Sequence, residues 1–330
     1  MKSYNLETIN CPLCNSSDYN IYIENAKELY NNMDEFFNVC YCLECSHYFT
    51  NPRPTMDTIK YFYPDDAGYY APVPYSLPRG KQYEIYIKIL NEKYGYNLNS
   101  GVIFILARLV FLIKKRNLET SHIPYFIKGG RLLDIGCSYG TYLKKMENLS
   151  WKVYGTEINE KAVKYAQKEL GLKNINNDFF ENSNFEKEFF DVVNMNMVLE
   201  HIYEPKSILT KVSSILKKDG QLMISVPDIS GFESKFYKQY AYGLQVPEHL
   251  HHFTPKTISF LLESCGFKVE KIVHQNFDRD LVASAGYRPN KTLSKILSTP
   301  LIRNTVVKVF ILFLAMIGKT SRMSIYARKM

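Results

Sequence analysis

Four cysteines fall into two CxxC turns, Cys11 and Cys14 in "CPLC" and Cys42 and Cys45 in "CLEC", with 27 residues between the turns. Zinc takes four soft or borderline donors at the corners of a tetrahedron, and one CxxC turn supplies two thiolates from a tight loop. The paired spacing therefore predicts a closed, structural zinc site. Five of the seven cysteines lie between positions 11 and 45, a clustering that favours a metal over disulfides in a reducing compartment. Cys40 and His47 stand close enough in the chain to replace a ligand. The first 50 residues carry two basic side chains, Lys2 and Lys27, against seven acidic ones. That balance is poorly suited to phosphate and argues against a nucleic-acid partner.

Four of the seven histidines fall in two short segments, His201 in "LEHIYEP" and His249, His251 and His252 in "VPEHLHHFTPKT". Thr254 reads as a helix N-cap with Pro255 at the first helical position, which places these last three histidines in a loop ahead of a helix. A neutral imidazole can take the proton of a sugar or phenol hydroxyl. The expected order of general bases is His249 or His252 first, then His201. The other role open to His251 and His252 is to pack and hydrogen-bond within the loop, and Glu200 reads equally as a structural tether.

A third constellation is "RLLDIGCSYGTYLKKM", residues 131–146, a buried strand running through a tight turn into a helix. In an open parallel sheet such a turn faces a ligand beyond the carboxyl ends of the strands. Gly136 and Gly140 flank Ser138, where a dinucleotide fingerprint wants another glycine, and Asp134 adds negative charge beside the place of a pyrophosphate. Both features disfavour NAD and favour a ligand with a cationic end. Glu157, 23 residues beyond Asp134 at the end of the second strand, is placed to accept hydrogen bonds from both ribose hydroxyls. Asp178 in "NNDFF" suits a base amino group, Phe179 suits stacking, and Asn194 and Asn196 end the fourth strand.

These residues need a scaffold, and the chain from 131 onward supplies one. Strand-like runs ("RLLDIG", "KVYGTEI", "NINNDFF", "FDVVNMN", "GQLMISVP", "KVEKIVHQN") alternate with helical stretches, which predicts an α/β, doubly wound sheet with helices on both faces. "SRMSIYARK" adds a strand at the sheet edge. Three segments follow: a cysteine module over 1–54 closed by "NPRP", a helical linker or lid over 55–127, and the sheet domain over 128–330. The linker holds an amphipathic helix in "KQYEIYIKILNEKY" and a Pro- and Gly-rich loop in "DDAGYYAPVPYSLPRG".

Hydrophobic residues at 46% and charged residues at 22% fit a globular chain, not a disordered one. The net charge of +8 suits an anionic small substrate, a membrane surface or nucleic acid, and chooses none of them. The amino terminus lacks a signal-peptide pattern, so the expected location is cytoplasmic. Two apolar stretches, "GVIFILARLVFLI" (101–113) and "VVKVFILFLAMIG" (306–318), are shorter than the roughly 20 residues that cross a bilayer. They read as helices that cap a site or, flanked by Lys and Arg, rest peripherally on an anionic membrane. The oligomeric state is not legible.

The ordered set "LLDIGCSYG", "TEIN", "NNDFF", "FDVVNMNMVLEH" and "GQLMISVP" resembles the class I S-adenosylmethionine-dependent methyltransferases over about residues 128–330. The resemblance implies a Rossmann-like seven-stranded fold and S-adenosylmethionine as cofactor. Gly136 and Gly140 would shape the loop around the methionine moiety, Asp134 would orient its ammonium, Glu157 would hold the ribose and Asp178 the adenine. Cys137, Ser138, Ile158, Phe179 and Asn196 would complete the cofactor site. The cysteine module resembles the zinc ribbons that precede the catalytic domain in some bacterial methyltransferases. "PEHLHHFT" resembles a subgroup that acts on sugar, polysaccharide or quinone-type hydroxyls. The expected activity is therefore O-methylation of a small-molecule or glycan acceptor. A zinc-ribbon RNA methyltransferase and a non-catalytic S-adenosylmethionine-binding module are the rivals.

Overall fold

The computed structural model describes residues 4–63, 81–97 and 121–330. The loop "DDAGYYAPVPYSLPR" and the apolar stretch 101–113 lie outside the described residues. Two compact units emerge. One is built from 4–63, 197–210 and 224–325, the other from 81–97, 121–196, 211–223 and 326–330. The cysteine segment thus shares its unit with the histidine segments, which neither its charge nor its spacing announces.

The cysteine segment is all strand: β1 (Leu6–Glu7), β2 (Tyr19–Lys27), β3 (Phe36–Cys42), β4 (Tyr48–Thr50) and β5 (Arg53–Pro54). β1 pairs with β5, while β2, β3 and β4 form an antiparallel ladder. Phe37 and Val39 of β3 enter a core with Ile23 and Ala26 of β2, and Cys40 and Cys42 are buried as well.

The second unit opens with α1 (Lys81–Tyr94), as its period requires, burying Tyr86, Ile87, Leu90 and Tyr94. Next come β6 (Arg131–Ile135), α2 (Thr141–Asn148), β7 (Lys152–Thr156), α3 (Glu160–Lys168), β8 (Ile175–Asn176) and β9 (Phe190–Asn196). β6 pairs in parallel with β7 and β9, and β7 with β8. β6 and β9 are buried along almost their whole length, as expected where helices cover both faces of a parallel sheet. Asn159 caps α3, its side chain accepting from Ala162 N at 3.0 Å.

The remaining elements are α4 (Pro205–Ile215), β10 (Leu216–Pro227), α5 (Phe232–Tyr237), β11 (His251–His252), α6 (Pro255–Ser264), β12 (Phe267–His274), α7 (Arg279–Tyr287), α8 (Thr292–Ser298), α9 (Pro300–Met316) and β13 (Arg322–Lys329). The large sheet has the order β12-β13-β10-β9-β6-β7-β8. That is the seven-stranded, mostly parallel α/β architecture expected from the sequence. Its last strand departs from expectation: β13 lies between β10 and β12, and β12 takes the edge. Local pattern shows that a strand exists but not which neighbour it inserts beside.

The second departure concerns the histidines. His251 and His252 form a strand, not a loop, and β11 completes a four-stranded sheet in the order β11-β4-β3-β2. His251 faces Phe49 and His252 faces Tyr48 in the ladder, so the edge of β4 is covered. The helix start next to them is as expected: Thr254 and Thr257 form a reciprocal capping box, with Pro255 at the first position.

Candidate functional site

After β6 the chain turns through Gly136 (φ 69°), Ser138 (φ 48°) and Gly140 (φ 75°). The N–H groups of Gly136 and Cys137 both donate to the Thr156 carbonyl, at 2.9 and 3.1 Å. A Cβ on Gly140 would lie 2.6 Å from Leu172 Cδ1 and 3.0 Å from the Ala166 Cβ. Gly140 therefore lets the turn pack against α3, and Gly136 shapes its ligand side. Ser138 accepts a left-handed backbone where glycine would be relaxed, held there because its N–H donates to Glu157 Oε2 at 2.8 Å. Glu157 Oε1 accepts from Asn159 N at 2.8 Å, so this buried carboxylate ties the loop to the start of α3.

Beneath the loop lies a cavity of about 340 Å³ whose wall includes Asp134, Gly136, Cys137, Ser138 and Asn196. Asp134 Oδ1 accepts from Asn194 Nδ2 at 2.6 Å, and Asn194 Oδ1 in turn accepts from His122 Nδ1. Burial pushes the Asp134 carboxyl up to about 7, with the nearby Glu157 charge acting in the same direction and the Asn194 hydrogen bond against it. A cationic group arriving in this cavity would favour the ionised form and draw the proton off.

Other expected contacts fall elsewhere. Gly140 and Glu157 do not line this cavity. Ile158 and Phe179 are 54% and 57% exposed, and Asp178 is exposed too, its Oδ1 accepting from Phe179 N and Asn182 Nδ2 at 2.7 and 2.8 Å. They form an open surface past the ends of β7 and β8 and do not line the cavity. His122, Tyr139 and Tyr142 also line the cavity. The Tyr142 hydroxyl donates to the His122 carbonyl at 2.7 Å. Nothing in "SHIPYF" marks His122, because its link to Asp134 runs through Asn194, 72 residues further on.

In the other unit, the sulfurs of Cys11, Cys14, Cys42 and Cys45 all lie within 4.8 Å of one another, with Cys11–Cys45 and Cys14–Cys42 each at 3.5 Å. A tetrahedral zinc with Zn–S near 2.3 Å needs S···S separations of about 3.8 Å, so four thiolates fit that ion. Cys40 is outside the set, its thiol directed at the Asn51 carbonyl at 3.8 Å. His47 is outside it too, with Nε2 donating to His251 Nδ1 at 3.2 Å.

The expected bases separate into two kinds. His251 has both ring nitrogens engaged, Nδ1 accepting from His47 and Nε2 donating to the Ile202 carbonyl at 2.8 Å. His252 Nε2 donates to Thr50 Oγ1 at 3.1 Å, while that hydroxyl donates to the His249 carbonyl at 2.7 Å. The His252 ring fastens β11 to β4, and the His251 ring ties β11 to His47 and to the Ile202 carbonyl. His201 and His249 differ. His201 Nδ1 donates to the Glu248 carbonyl at 2.9 Å, with Tyr63 Oη 2.8 Å away, and His249 Nδ1 donates to the Gly243 carbonyl at 2.9 Å. Both tautomers leave Nε2 with its lone pair.

The two rings meet edge to face with centroids 4.7 Å apart. A Glu200 carboxylate oxygen and one nitrogen from each ring lie within 4.8 Å of one another. Glu200 is fully buried, neither of its oxygens has a hydrogen-bond partner, and burial pushes it up to about 8. Burial likewise lowers His201 to about 4 and holds His249 well below the usual imidazole range. The cluster therefore joins one neutral acid to two neutral bases, an arrangement able to accept and pass a proton. Sequence reading left Glu200 as a tether, and its lack of partners is the feature that only coordinates reveal.

A family described as a methyltransferase domain matches residues 107–272, half of the chain. An uncharacterised protein of Methanocaldococcus jannaschii is 29% identical over 159 residues, which cover 48% of this chain and 73% of that one. A ubiquinone biosynthesis O-methyltransferase of Neisseria meningitidis is 26% identical over 181 residues, covering 49% of this chain and 74% of the relative. Among solved structures, an S-adenosylmethionine-dependent methyltransferase from Archaeoglobus fulgidus aligns with a TM-score of 0.45 at 21% identity, covering 74% of this chain and 100% of that one.

Proposed function

The chain belongs to the methyltransferase-domain family and is an S-adenosylmethionine-dependent methyltransferase; from that premise we propose that it O-methylates a small hydroxyl-bearing acceptor such as a sugar, glycan or phenol. The observation that carries the reading is the cavity beneath the Gly136–Gly140 loop, with buried Asp134 on its wall. A sulfonium amino acid brings an ammonium for Asp134 and no pyrophosphate to clash with it. Bound S-adenosylmethionine supplies a methyl group already activated on sulfur. This chain's residues then have three tasks: Asp134 fixes the ammonium, Glu157 holds the ribose while keeping the loop in place, and an imidazole takes the acceptor's proton. His249 and His201 carry a bare Nε2 for that last task. The ubiquinone-pathway relative is named an O-methyltransferase, which supports a hydroxyl acceptor.

Calorimetric titration tests the cofactor reading. Wild type is expected to bind S-adenosylmethionine and not NAD, and Glu157→Ala to weaken binding about 100-fold, near 2.7 kcal/mol. Preferential NAD binding would overturn the reading. Screening catechol and glycoside panels for labelled methyl transfer identifies the acceptor.

We also propose that Cys11, Cys14, Cys42 and Cys45 hold a structural zinc, on the strength of the fitting donor set. Such a site links β3 to the segment ahead of β2. Metal analysis is expected to give one zinc per chain, and chelation to lower the melting temperature by on the order of 10 °C. Purified protein with far less than one zinc and unchanged melting would remove the metal.

A further inference from the structure

Helix α9 is apolar on two sides. One side, with Val307, Ile311 and Leu314, is buried in the core of its unit. The other carries Val306, Val309, Phe310, Phe313 and Met316, continued by the C-cap residue Ile317, all 37–67% exposed. These positions recur at three- and four-residue steps, so they form one outward stripe of the helix. A contiguous exposed apolar stripe of this size marks a contact surface.

Charge identifies the partner. From residue 281 to 330 the sequence contains nine Lys and Arg and no Asp or Glu, more positive charge than the whole chain's net +8. Arg303 and Arg322 are paired with Asp278 and Asp280. Lys291, Lys295, Lys308 and Lys319 are exposed, and Lys291 and Lys308 bond to uncharged partners, the Gly286 carbonyl and Asn304 Oδ1. We propose that the outward stripe of α9 seats in the interfacial layer of an anionic lipid bilayer, with these lysines meeting the headgroups.

Two other arrangements fit less well. Among the described residues no single helix is long and apolar enough to span a membrane. The α8–α9 pair that reaches the length is bent by 65°, and spanning would pull Val307, Ile311 and Leu314 from the core. A second copy seated isologously would set each lysine-rich segment against its own image, with like charges opposed and no carboxylate to relieve them.

The test uses the full chain sedimented with phosphatidylcholine vesicles and with equimolar phosphatidylcholine–phosphatidylglycerol vesicles. Partition onto the anionic vesicles is expected to be at least tenfold stronger and to fall with added salt. The double variant Val309→Asp, Phe313→Asp changes two exposed positions. It is expected to lose at least tenfold in partition while binding S-adenosylmethionine as wild type does. Equal partition onto both vesicle types, or onto neither, overturns the proposal. A concentration-dependent dimer that this variant abolishes, without vesicle binding, overturns it in favour of self-association.

Discussion

Between pH 6.5 and 4.5 the folded protein is expected to lose about 4 kcal/mol of stability per pH unit, as read from urea midpoints at half-unit steps. The source is a set of six buried histidines. Burial lowers His47 and His249 well below the usual range, His122 and His201 to about 4, and His251 and His252 to about 3. In this window each is neutral in the folded chain and becomes protonated on unfolding, which costs the fold about 1.4 kcal/mol per pH unit for each ring. Three carboxyls act the other way. Burial raises Asp134 to about 7, Glu200 to about 8 and also raises Glu233, so the folded chain holds protons that the unfolded chain has lost above its own carboxyl range.

Six rings less Asp134 and Glu200, with Glu233 acting on the same side as those two carboxyls, leave a net uptake of about three protons on unfolding, hence the slope. Above pH 6.5 the unfolded histidines are neutral as well, and their contribution to the slope disappears. The raised carboxyls then dominate, and stability declines as pH rises through about 7 and 8. Maximum stability is therefore expected near pH 6.5, and Glu200→Gln should flatten the alkaline side and steepen the acid side, where its carboxyl opposes the rings. A profile level from pH 6.5 down to 5 would mean that these rings reach water in the folded state.

The same histidines show where sequence reading stops. "RLLDIG" and "FDVVNMN" are legible as strands because each holds a short apolar core, "LL" and "VV", in a run of strand length, as a strand covered on both faces requires. The two CxxC turns are legible because their chemistry is local. "LHHFT" is not, since its partner β4 lies about 200 residues away, and two histidines before a capped helix read as loop until that pairing is known. Asp178 and Phe179 are legible as residues past a strand end, but their exposure is not. The strand expected in "NINNDFF" is β8, which has only two residues, and the chain just beyond it lies exposed. His122 gave no signal at all, because its tie to Asp134 exists only through Asn194.

Glu200 could not be weighed from sequence either, and the last expected result rests on it. Replacing His249 with alanine is expected to lower kcat for methyl transfer to a hydroxyl acceptor by 10²–10⁴-fold, the usual worth of a positioned general base. S-adenosylmethionine affinity should stay within about twofold, since Asp134 and Glu157 are untouched. His249 is a candidate because its Nδ1–H is committed to the Gly243 carbonyl, which leaves Nε2 as the basic atom. Its weakness is burial, which depresses imidazole basicity. Glu200 can offset that weakness once ionised: a carboxylate beside an imidazole stabilises the imidazolium that proton abstraction creates. Burial holds Glu200 neutral at pH 7 and releases its proton only near 8. The wild-type rate should therefore rise through about pH 8, and Glu200→Gln should stay on the lower plateau while folding normally, since amide and carboxyl have the same shape. His249→Ala retaining full kcat would shift the base to His201, and an unchanged rise in Glu200→Gln would remove the carboxyl from proton transfer altogether.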